Sequence, residues 1–518
     1  MRSQFWMGNI SLDNESWRRN SKRYTKLITL WKQLHIQQSH YQLQEVHVQE
    51  FRVMTESDVE AIHLASLRVL AETGITLAHP EAREILSGVG AKVEKDRVLL
   101  PPVLVEQEVS KSANKVHIRG RNGSVKTLGD GTLHWHNLGG ARDIYDAGSG
   151  IHRKAMLKDL QDCTRLLDAL DGVTTITPFF TPQDVPGHLM SLAMYRYAIP
   201  NTTKPLQGPG VQTAQEVQFA IRMASVIGPP EEVLSLSVSP VSPLGFPNDC
   251  AAAIIEIARH GIPFAPLPCP TAGTTAPFSI AGAVTQQNAE ILASIVLAQL
   301  VHPGLPIVYC GRLAMMEPRT GISVWGGVEL GLASAATVQM GHRYGLPVNV
   351  YGFSTNSHTL DIQNGYERSL NALLPALAGA DELSGVGEME AGVMGSFAQI
   401  VCDNEIAASV RRLRMGFEIN DDSLAVDIIS AAMQSTHNFL GQKHTLRYLR
   451  SGEVLLTSLA ERGSWETWEK NDRAGMAERA QLEAMQILKS HQAEPLSTNQ
   501  ELELDEILRE ADRKLGKS

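Results

Sequence analysis

The chain has 518 residues, 43% of them hydrophobic and 20% charged, enough to bury a large core. A formal net charge of -10 sets nucleic acid and anionic membrane aside as main partners. Five cysteines, Cys163, Cys250, Cys269, Cys310 and Cys402, lie far apart with no C-x-x-C pair, which suits a reducing cytosol and supports neither a disulfide framework nor a zinc ribbon.

Residues 1–47 read as a basic, partly disordered extension, weakly helical around Tyr24 to Leu34, or as sequence upstream of the true start. Trp17-Arg18-Arg19-Asn20-Ser21-Lys22-Arg23 is followed by polar sequence, without the apolar region and cleavage site of a secretory signal. No stretch reaches the roughly 18–20 uninterrupted apolar residues of a membrane span. A cytoplasmic protein is expected. Order begins near Met54: Thr55-Glu56-Ser57-Asp58 resembles a capping box with Asp in place of Glu, and Val59, Ile62, Ser66, Val69 and Leu70 recur at helical spacing until Gly74. Extended pieces follow at Val98-Leu99-Leu100, Val116-His117-Ile118 and Thr132 to Asn137. Residues 48–150 are therefore expected to form an α+β region packing on the main domain.

From about residue 150 the rhythm is strand, loop, helix, repeated. Candidate strands are 173–177, 204–207, 234–238, 263–267, 306–310, 348–351 and 382–386, each brief and bounded by Gly or Pro. Enough chain separates them for amphipathic helices such as Ala251 to His260 and Asn288 to Val301. These seven units imply an α/β fold with a parallel sheet; Thr132 to His136, or a strand the pattern hides, would supply the eighth of a (β/α)8 barrel. A doubly wound open sheet has the same rhythm, but no G-x-G-x-x-G follows the first strand. The main domain is placed at 151–460. A helical, charged extension is expected at 461–518, with one charged helix from Trp465 to Lys489 and an acidic one from Gln500 to Lys514.

Familiar catalytic signatures are missing: the sequence has no G-x-S-x-G elbow, no H-E-x-x-H, no P-loop and no Gly-rich nucleotide fingerprint. Ala272-Gly273-Thr274-Thr275-Ala276-Pro277 lacks the Lys of a phosphate cradle and reads as a βα turn. What remains is a set of polar and aromatic residues at the expected C-terminal ends of strands, where barrel enzymes build their sites. They are Phe179, Phe180, Gln207, Tyr309, Arg312, Tyr351, Phe353, His358, Glu388 and Glu390, joined by Trp135 from the N-terminal region. An aromatic pocket suits a quaternary ammonium ion, which cannot donate a hydrogen bond but is attracted by ring faces; the other reading of the same rings is core packing. Arg312 could grip a substrate carboxylate in a bidentate pair, or instead pair with Glu317 or Glu329. Glu388 could counter a substrate's charge or satisfy donors at a helix start. His134 and His136 share one strand face, half of a metal site, but no third ligand stands at diagnostic spacing and no bound metal is expected.

The segment Val348-Asn349-Val350-Tyr351-Gly352-Phe353-Ser354-Thr355-Asn356-Ser357-His358 runs on through Asp361, Gln363, Gly365 and Tyr366 to Leu373-Leu374-Pro375-Ala376-Leu377-Ala378-Gly379-Ala380. It resembles the signature of the trimethylamine methyltransferase family, corrinoid-dependent enzymes that strip a methyl group from a methylated amine. The resemblance covers roughly residues 50 to 460 and implies a TIM barrel. In members acting on trimethylamine the residue after the equivalent glycine is pyrrolysine, whose electrophilic ring activates the amine; here it is Phe353. The resemblance puts Phe353 at the catalytic position; from their places at strand ends, Glu388 and His358 are expected to join it in catalysis, with Tyr309, Arg312, Tyr351, Phe179, Gln207 and Trp135 binding substrate. It implies methyl transfer from a quaternary amine to the Co(I) of a corrinoid carried by a separate cognate protein. Glycine betaine comes first, with carnitine, proline betaine and γ-butyrobetaine open, and a homo-oligomer is expected. Two rivals stand beside this reading: another TIM-barrel enzyme, and a catalytically silent betaine-binding regulator on the same scaffold.

Overall fold

In the computed structural model, which describes residues 51–516 apart from 209 and 436, the first helix forms where its capping pattern places it. Thr55 Oγ1 accepts from the Asp58 amide at 3.2 Å, and Asp58 Oδ2 accepts from the Thr55 amide at 2.9 Å. The helix Glu56–Arg68 runs into one wide turn, Val69–Thr73, and stops at Gly74, whose φ of +69° favours glycine. The extension expected at 1–47 lies outside the described residues.

The described residues divide into two compact units, one of residues 51–414 with 461–516 and one of residues 415–460. Within described residues 415–460 the helices are Asp421–Leu424, Val426–Met433 and Lys443–Ser451, and only Ala432 and Leu459 are buried hydrophobics.

The larger unit is α/β and carries seven parallel strands: β1 His134–Asn137, β2 Leu206–Gly208, β3 Leu234–Val238, β4 Phe264–Pro266, β5 Tyr309–Gly311, β6 Val348–Tyr351 and β7 Glu382–Val386. Strands β2, β3 and β4 pair in parallel, as do β5, β6, β7 and β1. Single parallel bridges join the two sets, Phe264 to Ile307 on one side, and His136 to Thr175 and Ile176 to Leu206 on the other. Seven strands and the Thr175–Ile176 segment thus make eight parallel members, and Thr132 to His136 does contribute one of them. That segment stays too short for a strand because Asn137 replaces a main-chain neighbour: its Nδ2 donates to the Thr177 carbonyl at 2.6 Å and its Oδ1 accepts from the Thr177 amide at 3.1 Å.

Helices follow each member in turn: α1 Leu157–Ala169, α2 Met190–Ala198, α3 Ala214–Ser225, α4 Asn248–Arg259, α5 Ile280–Val301, α6 Val328–Arg343, α7 Ile362–Leu377 and α8 Phe397–Arg414. All five positions of β7 are buried, as expected of a parallel strand covered on both faces. Apolar residues encircle α5, so it lies buried on nearly every side. The Ala272–Pro277 stretch is a turn, with Gly273 at φ +95° and Thr271–Ala272 pairing with Ala314–Met316.

Two features differ from the sequence expectations. The hairpin Asp143–Asp146/Ile151–Lys154 joins Glu388–Met389 and Met394–Gly395 in a small sheet beyond the C-terminal end of β7. The charged helix expected over Trp465 to Lys489 is broken into Trp465–Lys470 and Met476–Ser490, with Asp472 and Arg473 at positive φ between them. Asp tolerates the left-handed region better than most residues, which lets the chain turn there. The final helix, Thr498–Leu515, buries Leu504, Ile507 and Ala511, and its acids Glu501 and Asp505 pair with the buried Arg196 of α2. Among the described residues no helix is long and apolar enough to cross a membrane.

Candidate active site

Side chains alternate across a strand, so every second residue of the parallel set points inward. In β6 these are Asn349 and Tyr351, in β7 Glu382 and Ser384, and they line a cavity of about 200 Å³ together with His136, Gln207, Cys310 and Arg312. Its volume lies below the roughly 300–1,000 Å³ of drug-sized sites, which suits a small substrate.

The cavity floor is a closed polar network. Lys126, from the hairpin Val116–Arg119/Val125–Leu128, reaches in and sets its Nζ 2.7 Å from Glu382 Oε1 and 3.0 Å from Gln207 Oε1. Burial by itself would push Glu382 up, but Lys126 and His136 bring it down to about 2, so this pair is ionised. Asn349 Nδ2 donates to Glu382 Oε2 at 2.5 Å and lies 2.9 Å from His136 Nε2. An amide nitrogen can only donate, so Nε2 accepts and the imidazole proton sits on Nδ1, 2.7 Å from the Asn137 carbonyl. Burial holds His136 down at about 4, a neutral ring at physiological pH.

Arg312 differs from the other charges. It is 5% exposed, and among the described residues no carboxylate lies within ion-pair distance of it; Glu317 pairs with Arg319 instead. Its guanidinium donates to the Gly311 and Asn349 carbonyls at 3.1 Å and to Asn349 Oδ1 at 2.5 Å, and it stacks 4.6 Å from the Tyr351 ring centre. These contacts orient the charge without neutralising it. With Lys126 and Glu382 cancelling, the cavity keeps one net positive charge, a setting for an anionic group.

Glu388, 1% exposed, lies outside the cavity lining, with its Oε2 and the wall residue Leu138 both beside Gly392. Ser354 Oγ donates to its Oε1, while its Oε2 has no hydrogen-bond partner. Gly387 before it adopts φ +86°, and a Cβ there would meet Ile400 at 2.4 Å and Phe179 at 2.9 Å, so only glycine lets this bend pass. A fully buried ion pair holds the same region: Arg368 Nη1 lies 2.8 Å from Asp403 Oδ2 and donates to the Phe353 carbonyl at 3.3 Å, and Asp403 Oδ2 also accepts from the Gly387 amide at 2.7 Å. Among the described residues no group of three or more His, Cys, Asp or Glu side chains gathers as a metal site.

The sequence pattern of the trimethylamine methyltransferase family matches residues 19–516. The chain belongs to that family. It is 30% identical to the trimethylamine methyltransferase of Desulfitobacterium hafniense over 442 residues, covering 84% of this chain and 88% of that protein. It is 27% identical to a glycine betaine methyltransferase of the same species over 447 residues, 84% and 91% of the two chains. Among solved structures it is similar to the monomethylamine methyltransferase of Methanosarcina barkeri, with a TM-score of 0.49, 12% identity, and 93% and 92% of the chains covered.

Of the residues singled out in this family member's sequence, Gln207, Arg312 and Tyr351 come together in the cavity, while Glu388 lies outside its lining, near Leu138 of the wall. The structure places Trp135, Tyr309, Phe179 and Phe353 elsewhere. Trp135 and Tyr309 occupy the alternate strand face from His136 and Cys310: Tyr309 Oη donates to Asn288 Oδ1 at 2.7 Å, and Trp135 packs 4.9 Å from Phe353 between ring centres. Phe179 stacks on Phe180 at 4.6 Å. His358 is exposed, 3.6 Å from Glu390 Oε1. His136, Asn349, Glu382 and Lys126 were not assigned to the site. Lys126 carried a signal, a charge two residues before the apolar Leu128 on the inward face of a strand, but its partner lies 256 positions away.

Because Phe353 fills space behind the cavity wall, Phe353→Leu is expected to cost about 1 kcal/mol of stability by urea unfolding. Turnover of the preferred substrate should stay within about threefold of the parent.

Proposed function

We propose that this protein moves a methyl group from a quaternary amine, glycine betaine first, to the Co(I) of a corrinoid carried by a separate protein. The parallel pairings, followed from β1 around to β7 and back, are read as a closed (β/α)8 barrel with the cavity inside the C-terminal ends of its strands. One observation carries the substrate assignment: a buried arginine without a carboxylate partner in a small cavity, in a chain whose family acts on methylated amines. A betaine supplies the missing anion, and similarity to a glycine betaine methyltransferase supports this choice of substrate.

In this reading Arg312 takes the carboxylate, Asn349 and Tyr351 keep the guanidinium aimed, and Gln207 borders the floor. The trimethylammonium group then points toward Glu388. A Co(I) corrinoid is a strong nucleophile and supplies the methyl acceptor. A quaternary nitrogen leaves as a neutral tertiary amine, so this chain need not deliver a proton; it holds carbon and nitrogen in line and keeps water away. Cys310 fits that role, its thiol pushed up by burial to about 11 and so neither charged nor nucleophilic. Trimethylamine would have to expel an amide-like anion, and Phe353 offers no electrophile to prevent that.

The test is methylation of Co(I)-cobalamin by the purified protein, followed by visible absorbance, across glycine betaine, tetramethylammonium and trimethylamine. Glycine betaine should react fastest and trimethylamine not at all. Methyl transfer from S-adenosylmethionine without any corrinoid would overturn the reading, and so would betaine binding with no turnover beside an active acceptor.

A further inference from the structure

Glu388 is a carboxyl group with nothing to balance it. Its Oε1 accepts from Ser354, but Oε2 is buried and without a partner. This free oxygen faces Gly392, where an added Cβ would lie 3.8 Å away and would touch Leu138, a residue of the cavity wall, at 3.6 Å. The surrounding charges are committed elsewhere. Arg368 of α7 is held by Asp403 of α8, Arg312 rests on Asn349 and Tyr351, and Asp143 of the adjoining hairpin is paired with Lys154 at 2.9 Å. Glu390 on its own hairpin faces His358.

We propose that Glu388 is the counter-ion of the substrate's ammonium group, and that it gives up a proton to solvent when a quaternary amine enters the cavity and takes the proton back when the cation leaves. The inference rests on the betaine reading above and deepens it, adding a charge that the site creates only when occupied. Before binding, the group is a neutral acid: burial pushes it up to about 8, Asp403 adds to that push, and Ser354, Arg368 and Arg312 offset only part of it. A fixed positive charge beside Oε2 favours the carboxylate and pulls the value down. Binding then couples to proton release at pH values below about 8 and above the lowered value of the occupied site. Such a site answers to charge as well as shape. An uncharged isostere leaves the acid protonated, whereas a cation gains a buried opposite charge on arrival.

The experiment is calorimetric titration of the full-length protein at pH 7 in two buffers of different ionisation enthalpy, so that the difference in heat counts protons. Glycine betaine should release close to one proton per molecule bound. Its carbon isostere 3,3-dimethylbutanoate, which keeps the carboxylate and the three methyl groups but has no cation, should bind without releasing any. Betaine affinity should rise with pH, by up to about tenfold per unit below pH 8, and level off above it. Glu388→Gln, a neutral side chain of the same shape, should retain dimethylbutanoate binding, bind betaine more weakly at pH 8.5, and lose both the proton release and the pH slope. Betaine binding without proton release in the parent, or unchanged release in Glu388→Gln, would overturn the inference while leaving the betaine reading in place. Absence of betaine binding at every pH would overturn both.

Discussion

Arg312→Ala is expected to lower kcat/KM for glycine betaine by about a hundredfold or more, the equivalent of roughly 3 kcal/mol for removing a charge-assisted, bidentate contact in a buried site. Tetramethylammonium, which has no carboxylate, should change by less than about threefold. The reasoning follows from what Arg312 touches. Its neighbours are carbonyls, an amide oxygen and an aromatic ring, all of them neutral. Removing a substrate's carboxylate partner costs only those substrates that have a carboxylate. Equal losses for both would mean that the cavity had collapsed, and no loss for either would mean that the carboxylate lies elsewhere. Thermal melting separates the first outcome from a specific effect.

Arg368→Met is expected to cost about 3–5 kcal/mol of stability at pH 8, because it leaves Asp403 buried and unpaired. Urea unfolding at two pH values is the check. Even with Arg368 present, burial pushes the Asp403 carboxyl up to about 6. Without the arginine it rises further, so the folded variant binds a proton that the unfolded chain, titrating near 3.8, has already lost. Stability of the variant therefore falls as pH climbs through that range, and the deficit should be smaller at pH 5 than at pH 8. A deficit independent of pH would place the cost in lost packing. Adding Asp403→Asn should recover part of the loss at pH 8, since it removes the stranded charge. Activity offers a second reading, because the same pair fixes the Phe353 carbonyl and the Gly387 amide on either side of Glu388.

Strand rhythm carried the fold further than it carried the site. Short β-rich runs closed by Gly or Pro located β3, β6 and β7 almost to the residue, because parallel strands buried on both faces read as compact apolar pieces. The end of the Thr175–Ile176 segment was harder to delimit, since the Asn137 side chain of β1 takes up the main-chain groups of Thr177, the next residue. Within the site, Arg312 and Gln207 stood out by chemistry alone, as polar groups at strand ends. Trp135 and Tyr309 stood out equally and face the other way. A single step along a strand reverses the face, and the sequence does not say which parity points inward until the neighbouring strands fix the register. The floor was hidden for a different reason. Lys126, Gln207, Asn349 and Glu382 are spread over 256 positions, and only the folded pairing brings their atoms to hydrogen-bond distance. Glu388 was visible as a strand-end acid, but its unpartnered oxygen is a property of packing.

The central claim is that a methyl group leaves a betaine for cobalt, and the most direct measurement follows the methyl carbon itself. Glycine betaine labelled with ¹³C on its N-methyl groups is incubated with the purified protein and Co(I)-cobalamin, and the products are observed by NMR. The account predicts labelled methylcobalamin and dimethylglycine in equal amounts, with neither formed from labelled trimethylamine. Label that remains on betaine while the acceptor stays active, or a trimethylamine signal as strong as that of betaine, would contradict it.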